Sequence, residues 1–574
     1  MSANSPVEET AREDAAQPLE RRVLLACALG LFALSLLLRL LGIGWGLPNE
    51  FRHQSLHPDE LIIAGHAVLK PYFLPDFYNY GTTYLTLLKL GTDAGTAYGW
   101  IPTGENVPEW QTLGAVHLTG RVISAFCGAL TVLLVFLLCL QFTNILGALL
   151  ASLALTVAPG HLVHSQFQTT DALSTLLAAA ALFAMVRWLK REDPAPKGAF
   201  LMALWVGLFA GTRYSGIVLI LLAVGLVLWR CKRERPFQMA LATLGGAAVG
   251  FVVATPGLIL QTSSFVRDFL YESGHVRTGH GIVFAETPTG FLYHLGNLFE
   301  GFGWIQTLAA AFGLLLLART RSLAAYAIVG YALLYYLLIG SAEVKFLRYT
   351  LPLLPALCVG VAILAGTFHE RDKWSKAVPA AIMLAIGLNV VSPGGAVSLL
   401  HFMRIQDPRD RIAEYVRQVR QPGETVGFVT TPWFYTPPLF PDTGLPGENE
   451  RLERMKQYDP TLVVHVRDEK VVPWDVGLLQ QERPTYICIS TFEYIDYRRI
   501  QEPHFVSFLE QLPEDYELIA WAWGGTLQED SPPAATREAL DSLFLGSGSD
   551  RRYPLTHDMM YIQPTVCVLK RKAN

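Results

Sequence analysis

"VLLACALGLFALSLLLRLLGIGWG" (residues 23–46) decides the fold class. It holds one charged side chain, Arg39, and outruns the roughly 20 apolar residues that a bilayer-crossing helix needs. It is too long for a signal-peptide core, lacks a convincing small-residue cleavage site and is followed by similar runs. Working outward, further spans are predicted at 119–141, 145–160, 171–189, 199–212, 214–230, 239–260, 292–318, 322–341, 347–367 and 376–397. Together these make about eleven membrane helices. The composition agrees: 51% of residues are hydrophobic and 16% charged, against roughly 25% charged in soluble domains. A net charge of −4 gives no reason to expect a nucleic-acid partner. The seven cysteines show no CxxC or other metal-ligand spacing, and most sit in apolar runs, where cysteine behaves as a small hydrophobe.

Positive charge orients such a chain. Basic clusters occur at "RWLKRED" (187–193), "WRCKRERP" (229–236), "ARTRS" (318–322) and "HERDKWSK" (369–376). With Arg21 and Arg22 inside, this span count puts all four clusters on the cytoplasmic side. The same parity makes 84–101 an interfacial helix rather than a span, and makes 199–230 two spans rather than one. It places outside the 47–118 loop, the 161–170 turn, Arg213, the 261–291 loop, the 342–348 turn and everything after about residue 400. Asp59, Glu60, His161, His164, Arg213, His275, Arg277, His280, Lys345 and Arg348 therefore gather at one membrane face, with Asp171 at the mouth of its helix.

The expected organisation is a cytoplasmic tail (1–22), a transmembrane module (23–399, with the outer loop 47–118) and a soluble α/β domain outside (400–574). In the last of these, "DPRDRIAEYVRQVRQ" reads as a helix with Asp407 as N-cap and Pro408 at its first position. Short β-branched runs such as "TYICIS" and "TVCVLK" alternate with helical stretches. Cys488 and Cys567 would be free to pair in an oxidising compartment.

The polar stretch after the first span, "SLHPDELIIAGHAVLKPYF" (55–73), has two readings. Pro58, Asp59 and Glu60 suit an ordinary helix start, where carboxylates complement exposed N–H groups. Asp59, His66 and Lys70 also share one helical stripe opposite an apolar one formed by Leu61, Ile62, Gly65, Val68 and Leu69. That pattern suits a helix lying in the membrane interface with a carboxylate available as base or metal ligand.

The second reading gains from a resemblance. An acidic pair in the first outer loop resembles the catalytic loop of the GT-C glycosyltransferases, in the branch of protein O-mannosyltransferases and lipid A aminoarabinose transferases. "YNYGTTYLTLL" (78–88) is similar to the segment that follows, although Gly81 and Thr82 stand where the family usually has prolines. "TGRVISAFCGALTVLLVF" (119–136), "APGHLVHSQFQTTDALSTLL" (158–177), "GLFAGTRYSGIVLI" (207–220) and "FLRYTLPLLPAL" (346–357) look like further family segments in the family's order. Arg213 takes a place where Lys is commoner. The resemblance implies a GT-C-like fold and an inverting transfer from a polyprenyl-phosphate-linked sugar to a hydroxyl of a protein, lipid or glycan acceptor. Asp59 would be general base, with Glu60 and Asp171 as further catalytic candidates. Arg348, Lys345 and Arg213 would bind the donor phosphate, while His57, His66, Tyr80, His275 and Arg277 are other candidates for the substrate site. The chain would lie in the inner or plasma membrane with its site extracytoplasmic. No cofactor is implied with certainty, and a divalent metal stays open. The absence of a Gly-rich phosphate loop before a helix argues against a nucleotide-sugar donor. A lipid or sugar transporter is the alternative, but transporters tend to place ionisable groups near the midplane, whereas here they concentrate in outer loops.

Overall fold

The structure, a computed structural model, describes residues 6–369, 376–441, 447–529, 534–546 and 556–573. Most of the basic cluster at 369–376 and residues 1–5 of the tail fall outside them. The chain is a polytopic helical membrane protein. Among the described residues eight helical segments are long and apolar enough to cross a bilayer: Arg21–Leu40, Glu109–Cys139, Asp171–Leu189, Pro236–Ala254, Gly290–Arg319, Leu323–Gly340, Leu347–Thr367 and Ala377–Phe402. Ile145–Thr156 and Tyr214–Arg230 are shorter apolar helices. The first span continues a helix that begins at Pro6.

Within the bundle, small residues permit close approach. Helix Pro196–Thr212 lies against Pro236–Ala254 so tightly that a Cβ on Gly207, Gly246 or Gly250 would collide with the backbone carbonyl of Ala247, Phe200 or Leu204. Glycine is required there by contact, not by dihedral angle. Arg39 is fully buried in the first span, yet it has no carboxylate partner among the described residues. Its guanidinium donates to the Ser35 hydroxyl (2.6 Å) and carbonyl (3.0 Å) and lies 2.6 Å from His161 Nδ1. Neutral groups thus engage both terminal nitrogens of a charge that the apolar run could not hydrate, while its Nε has no hydrogen-bond partner among the described residues.

Between the first two spans lie the helices Pro58–Val68 and Thr83–Tyr98. Part of the connection placed outside at 261–291 is helical, from Thr262 to Thr278. Gly274 lies inside this helix and costs it only modestly.

The C-terminal domain carries a six-stranded mixed sheet. Its order is Leu462–Val463, Val426–Phe428, Tyr486–Ser490, Val566–Arg571, Tyr516–Trp523 and Thr526–Gln528. The first three strands run parallel and the remaining pairings are antiparallel. Helix Pro408–Val419 starts as expected, with Asp407 accepting from Arg409 N–H at 3.0 Å. Cys488 and Cys567 are both free. Cys488 pairs in register with Val568 and Cys567 with Ile489, so the side chains point to opposite faces of the sheet and cannot join.

Two arginines fasten this domain to the membrane module, and a third ties the domain together. Arg52 of the first loop reaches Asp410 (3.2 Å). Within the domain, Arg409 donates to the carbonyls of Phe434 and Tyr561. Arg499 donates to the carbonyls of Ile282, Val283 and Ala285, each at 2.8–2.9 Å.

Candidate active site

His57 begins the polar helix: its Nδ1 accepts from Asp59 N–H (3.2 Å), and Pro58 fixes the first helical φ. The helical turn then sends the two neighbouring carboxylates in different directions. Glu60 faces inward and is fully buried. Arg121 grips it through Nε (2.9 Å) and Nη2 (2.7 Å), the Ser55 hydroxyl donates to it, and Gln168 N–H donates at 2.7 Å. Arg121 also donates to the carbonyls of Ile43 and Trp45. Burial alone would raise the Glu60 pKa, but the charge and hydrogen bonds of Arg121 outweigh it and hold the carboxyl below the usual range. Glu60, expected beside Asp59 in the catalytic set, is thus enclosed in a buried knot joining the first span, the second span and the 168 turn.

The stripe of this helix buried within the protein is Glu60, Ile63, Ala64 and Ala67, whereas the apolar stripe of Leu61, Ile62, Gly65, Val68 and Leu69 is half-buried or exposed. Ile62 and Leu69 are exposed.

Asp59 turns outward, its side chain 25% exposed, to Arg348 Nη2 at 3.4 Å. The Arg348 guanidinium lies over the Phe346 ring (4.0 Å), and its Nη1 is buried with no hydrogen-bond partner among the described residues. A second pair sits at the same end of the bundle, where Asp171 opens its helix and Arg213 follows Thr212. Arg213 Nη1 is 2.6 Å from Asp171 Oδ1, and the guanidinium lies 4.8 Å from the Tyr349 ring. Tyr80 is held protonated by burial and by the negative charge of Asp59. Burial of His57 pulls it down to about 4 against the opposing pull of Asp59 and Glu60, so the ring is neutral at pH 7.

Other expected residues do not join these pairs. Lys345 is buried but turns to the Thr287 hydroxyl (3.1 Å) and Glu343 (3.4 Å). His66 stacks on Phe77 and contacts the Pro75 carbonyl at 3.1 Å. Arg277 is exposed on helix Thr262–Thr278. His275 lies 3.2 Å from His280, whose ring in turn contacts Phe346 at 5.5 Å. Among the described residues no three His, Cys, Asp or Glu side chains gather closely enough to hold a metal ion.

The structure also adds residues that the sequence did not single out. Glu272 accepts from Asn79 (3.5 Å), and burial raises its pKa against the pull of His275, Arg213 and Arg348. Asp558 and Tyr561 reach the site from the C-terminal domain. The only sequence signal for Asp558 is an acid set within "THDMMYI", a run of otherwise largely apolar residues.

Among solved structures the chain is similar to ArnT from Cupriavidus metallidurans in the apo state, at 17% identity over 84% of this chain and 95% of that one, with a TM-score of 0.47. It is similar to the oligosaccharyltransferase AglB from Archaeoglobus fulgidus at 14% identity, over 91% of this chain and 78% of that one, with a TM-score of 0.48. The protein O-mannosyltransferase Pmt1-Pmt2 complex of S. cerevisiae shares 19% identity over 43% of this chain and 34% of that one, with a TM-score of 0.32. With TM-scores below 0.5 these likenesses add no weight of their own. No curated protein matches the chain. The sequence signal is local and specific: residues 111–260, which hold Arg121, Asp171 and Arg213, match the family of dolichyl-phosphate-mannose-protein mannosyltransferases.

Proposed function

We propose that this chain is a membrane glycosyltransferase that moves a sugar from a polyprenyl-phosphate donor to an acceptor hydroxyl. One observation carries the proposal: the 3.4 Å contact of Asp59 with Arg348, a base candidate and a phosphate-binding candidate at one end of the bundle. The match of residues 111–260 supports the same chemistry, since that family's name specifies a polyprenyl-phosphate-linked sugar.

Asp59 takes the proton from the acceptor hydroxyl as its oxygen attacks the anomeric carbon. The bond to the phosphate breaks on the opposite face, and the configuration inverts. Arg348 and Arg213 hold the departing phosphate, whose oxygens suit guanidinium forks. No sugar fits between groups 3.4 Å apart, so donor entry opens the pair. Arg348 then exchanges a carboxylate for a phosphate, and Asp59 is released toward the acceptor. Asp171, salt-bridged to Arg213, sets the second cation. A transporter is not favoured, because the buried charge of the first span, Arg39, is fixed by Ser35 and His161 rather than left to a permeating solute.

The test is reconstituted transfer from polyprenyl-phosphate sugars, with mass spectrometry of the glycoconjugates lost on deletion to name sugar and acceptor. No transfer from any such donor overturns the proposal. Arg348→Ala should weaken donor binding by ~10–150-fold, the equivalent of losing about 1.5–3 kcal/mol in a charge-assisted contact. Unchanged affinity would reduce Arg348 to a structural partner of Asp59.

The proposed sidedness puts residues 229–236 in the cytoplasm and the site and residues 400–574 outside it, in the inner or plasma membrane. The domain limits proposed are 1–22, 23–399 and 400–574. An alkaline phosphatase fused after Asn574 should be active in cells. A silent fusion there, with an active cytoplasmic reporter, reverses the orientation.

A further inference from the structure

The turn that carries Arg348 spans Leu347–Leu353, and its own N-cap residue, Phe346, provides no side-chain cap. Its first N–H groups are satisfied from the other domain. Asp558 Oδ1 accepts from Leu347 N–H at 3.0 Å, and Oδ2 accepts from Arg348 N–H at 2.9 Å. The carboxylate is fully buried and lies 3.4 Å from His164 Nε2. Burial alone would raise its pKa, but His164, Arg348 and the backbone bond from Arg348 outweigh this and hold it below the ordinary carboxylate range.

The turn bearing Asp558 is itself held on several sides. Arg409 donates to the Tyr561 carbonyl at 2.6 Å, and the Tyr561 ring stacks on Phe492 at 5.7 Å. The Tyr561 ring packs edge-on against His57 at 5.0 Å. His57 in turn caps Asp59. One short turn, His557–Ile562, thus supports both members of the Asp59–Arg348 pair.

We propose that Asp558 is a positioning residue of the donor site: the C-terminal domain fixes the backbone at Arg348 and so sets where its guanidinium meets a lipid-linked phosphate. The proposal rests on the glycosyltransferase reading. An isosteric amide in place of Asp558 offers one acceptor where the backbone needs two, and turns an N–H toward an N–H. The guanidinium then samples more orientations, and its hold on phosphate weakens while the base, Asp59, is untouched.

The experiment is a double-mutant cycle on the full-length protein in detergent. A polyprenyl phosphate without sugar is the binding probe, and transfer is measured alongside. Asp558→Asn should raise the dissociation constant by about tenfold, as expected for loss of a charge-assisted contact. It should raise the donor KM similarly and leave kcat within about threefold. In an Arg348→Ala background the same substitution should have no further effect on binding. Additive effects of the two substitutions, or a lowered unfolding temperature with unchanged affinity, would overturn the positioning role. If Asp558→Asn does not fold, Asp558→Glu, which keeps the charge, is carried through the same cycle and judged by the same additivity. Wild-type protein that binds no polyprenyl phosphate would instead overturn the donor reading, and the positioning role with it.

Discussion

Asp59→Asn should lower single-turnover transfer by about 10²–10⁴-fold, the usual loss when a general base is removed. The protein should still fold. Asn matches Asp in size, and the helix start depends on the Asp59 backbone N–H bonding to His57, which the substitution keeps. Donor binding should survive or tighten, because the variant removes the carboxylate that competes with phosphate for Arg348 at 3.4 Å. A fall in kcat with donor affinity retained is the signature of a group that acts in the transition state. Near wild-type turnover at saturating donor would move the base elsewhere, with Asp171 the next candidate.

The second large effect is on stability. Arg121→Leu leaves the Glu60 carboxylate fully buried with its two cationic contacts gone. Stranding one member of a buried pair typically costs ~3–5 kcal/mol. Thermal unfolding in detergent should show a large drop, or the protein should fail to accumulate. Replacing both residues, Glu60→Leu with Arg121→Leu, should recover part of the loss, because no charge is then left unpaired. Glu60 has a lowered folded-state pKa, so its contribution is fully present above the ordinary carboxylate value and fades only as pH falls through the folded one. Acid-induced loss of the folded state near neutral pH would contradict the pairing. Equal stability of Arg121→Leu and wild type would remove Glu60 from any structural role.

Run length made the membrane helices legible, since little but a bilayer crossing explains stretches such as 23–46. Capping chemistry made helix Pro408–Val419 legible in the same way. The sequence placed Asp59 and Arg348 at one membrane face, a coarse constraint that alternating spans supply, but not their contact at 3.4 Å. Side-chain direction was harder. Asp59 and Glu60 are adjacent and chemically alike, and only the position of Arg121 decides which is buried. Lys345 and Arg348 look equivalent in sequence, but a short extended stretch turns Lys345 toward Thr287. Asp558 was out of reach because no local periodicity links it to the turn it caps. That contact exists only once the two domains meet.

The arginine clasp at Ile282, Val283 and Ala285 bears on the order in which the molecule is assembled. A nascent chain emerges from its N-terminus, and domains generally fold in that order. The carbonyls that Arg499 will cover, and the N–H groups that Asp558 will cover, are therefore made long before their partners. Until synthesis is complete those groups must be served by water, with Arg348 loosely held. On the proposed role of Asp558, a ribosome-released fragment ending before residue 499 is expected to insert but to transfer no sugar.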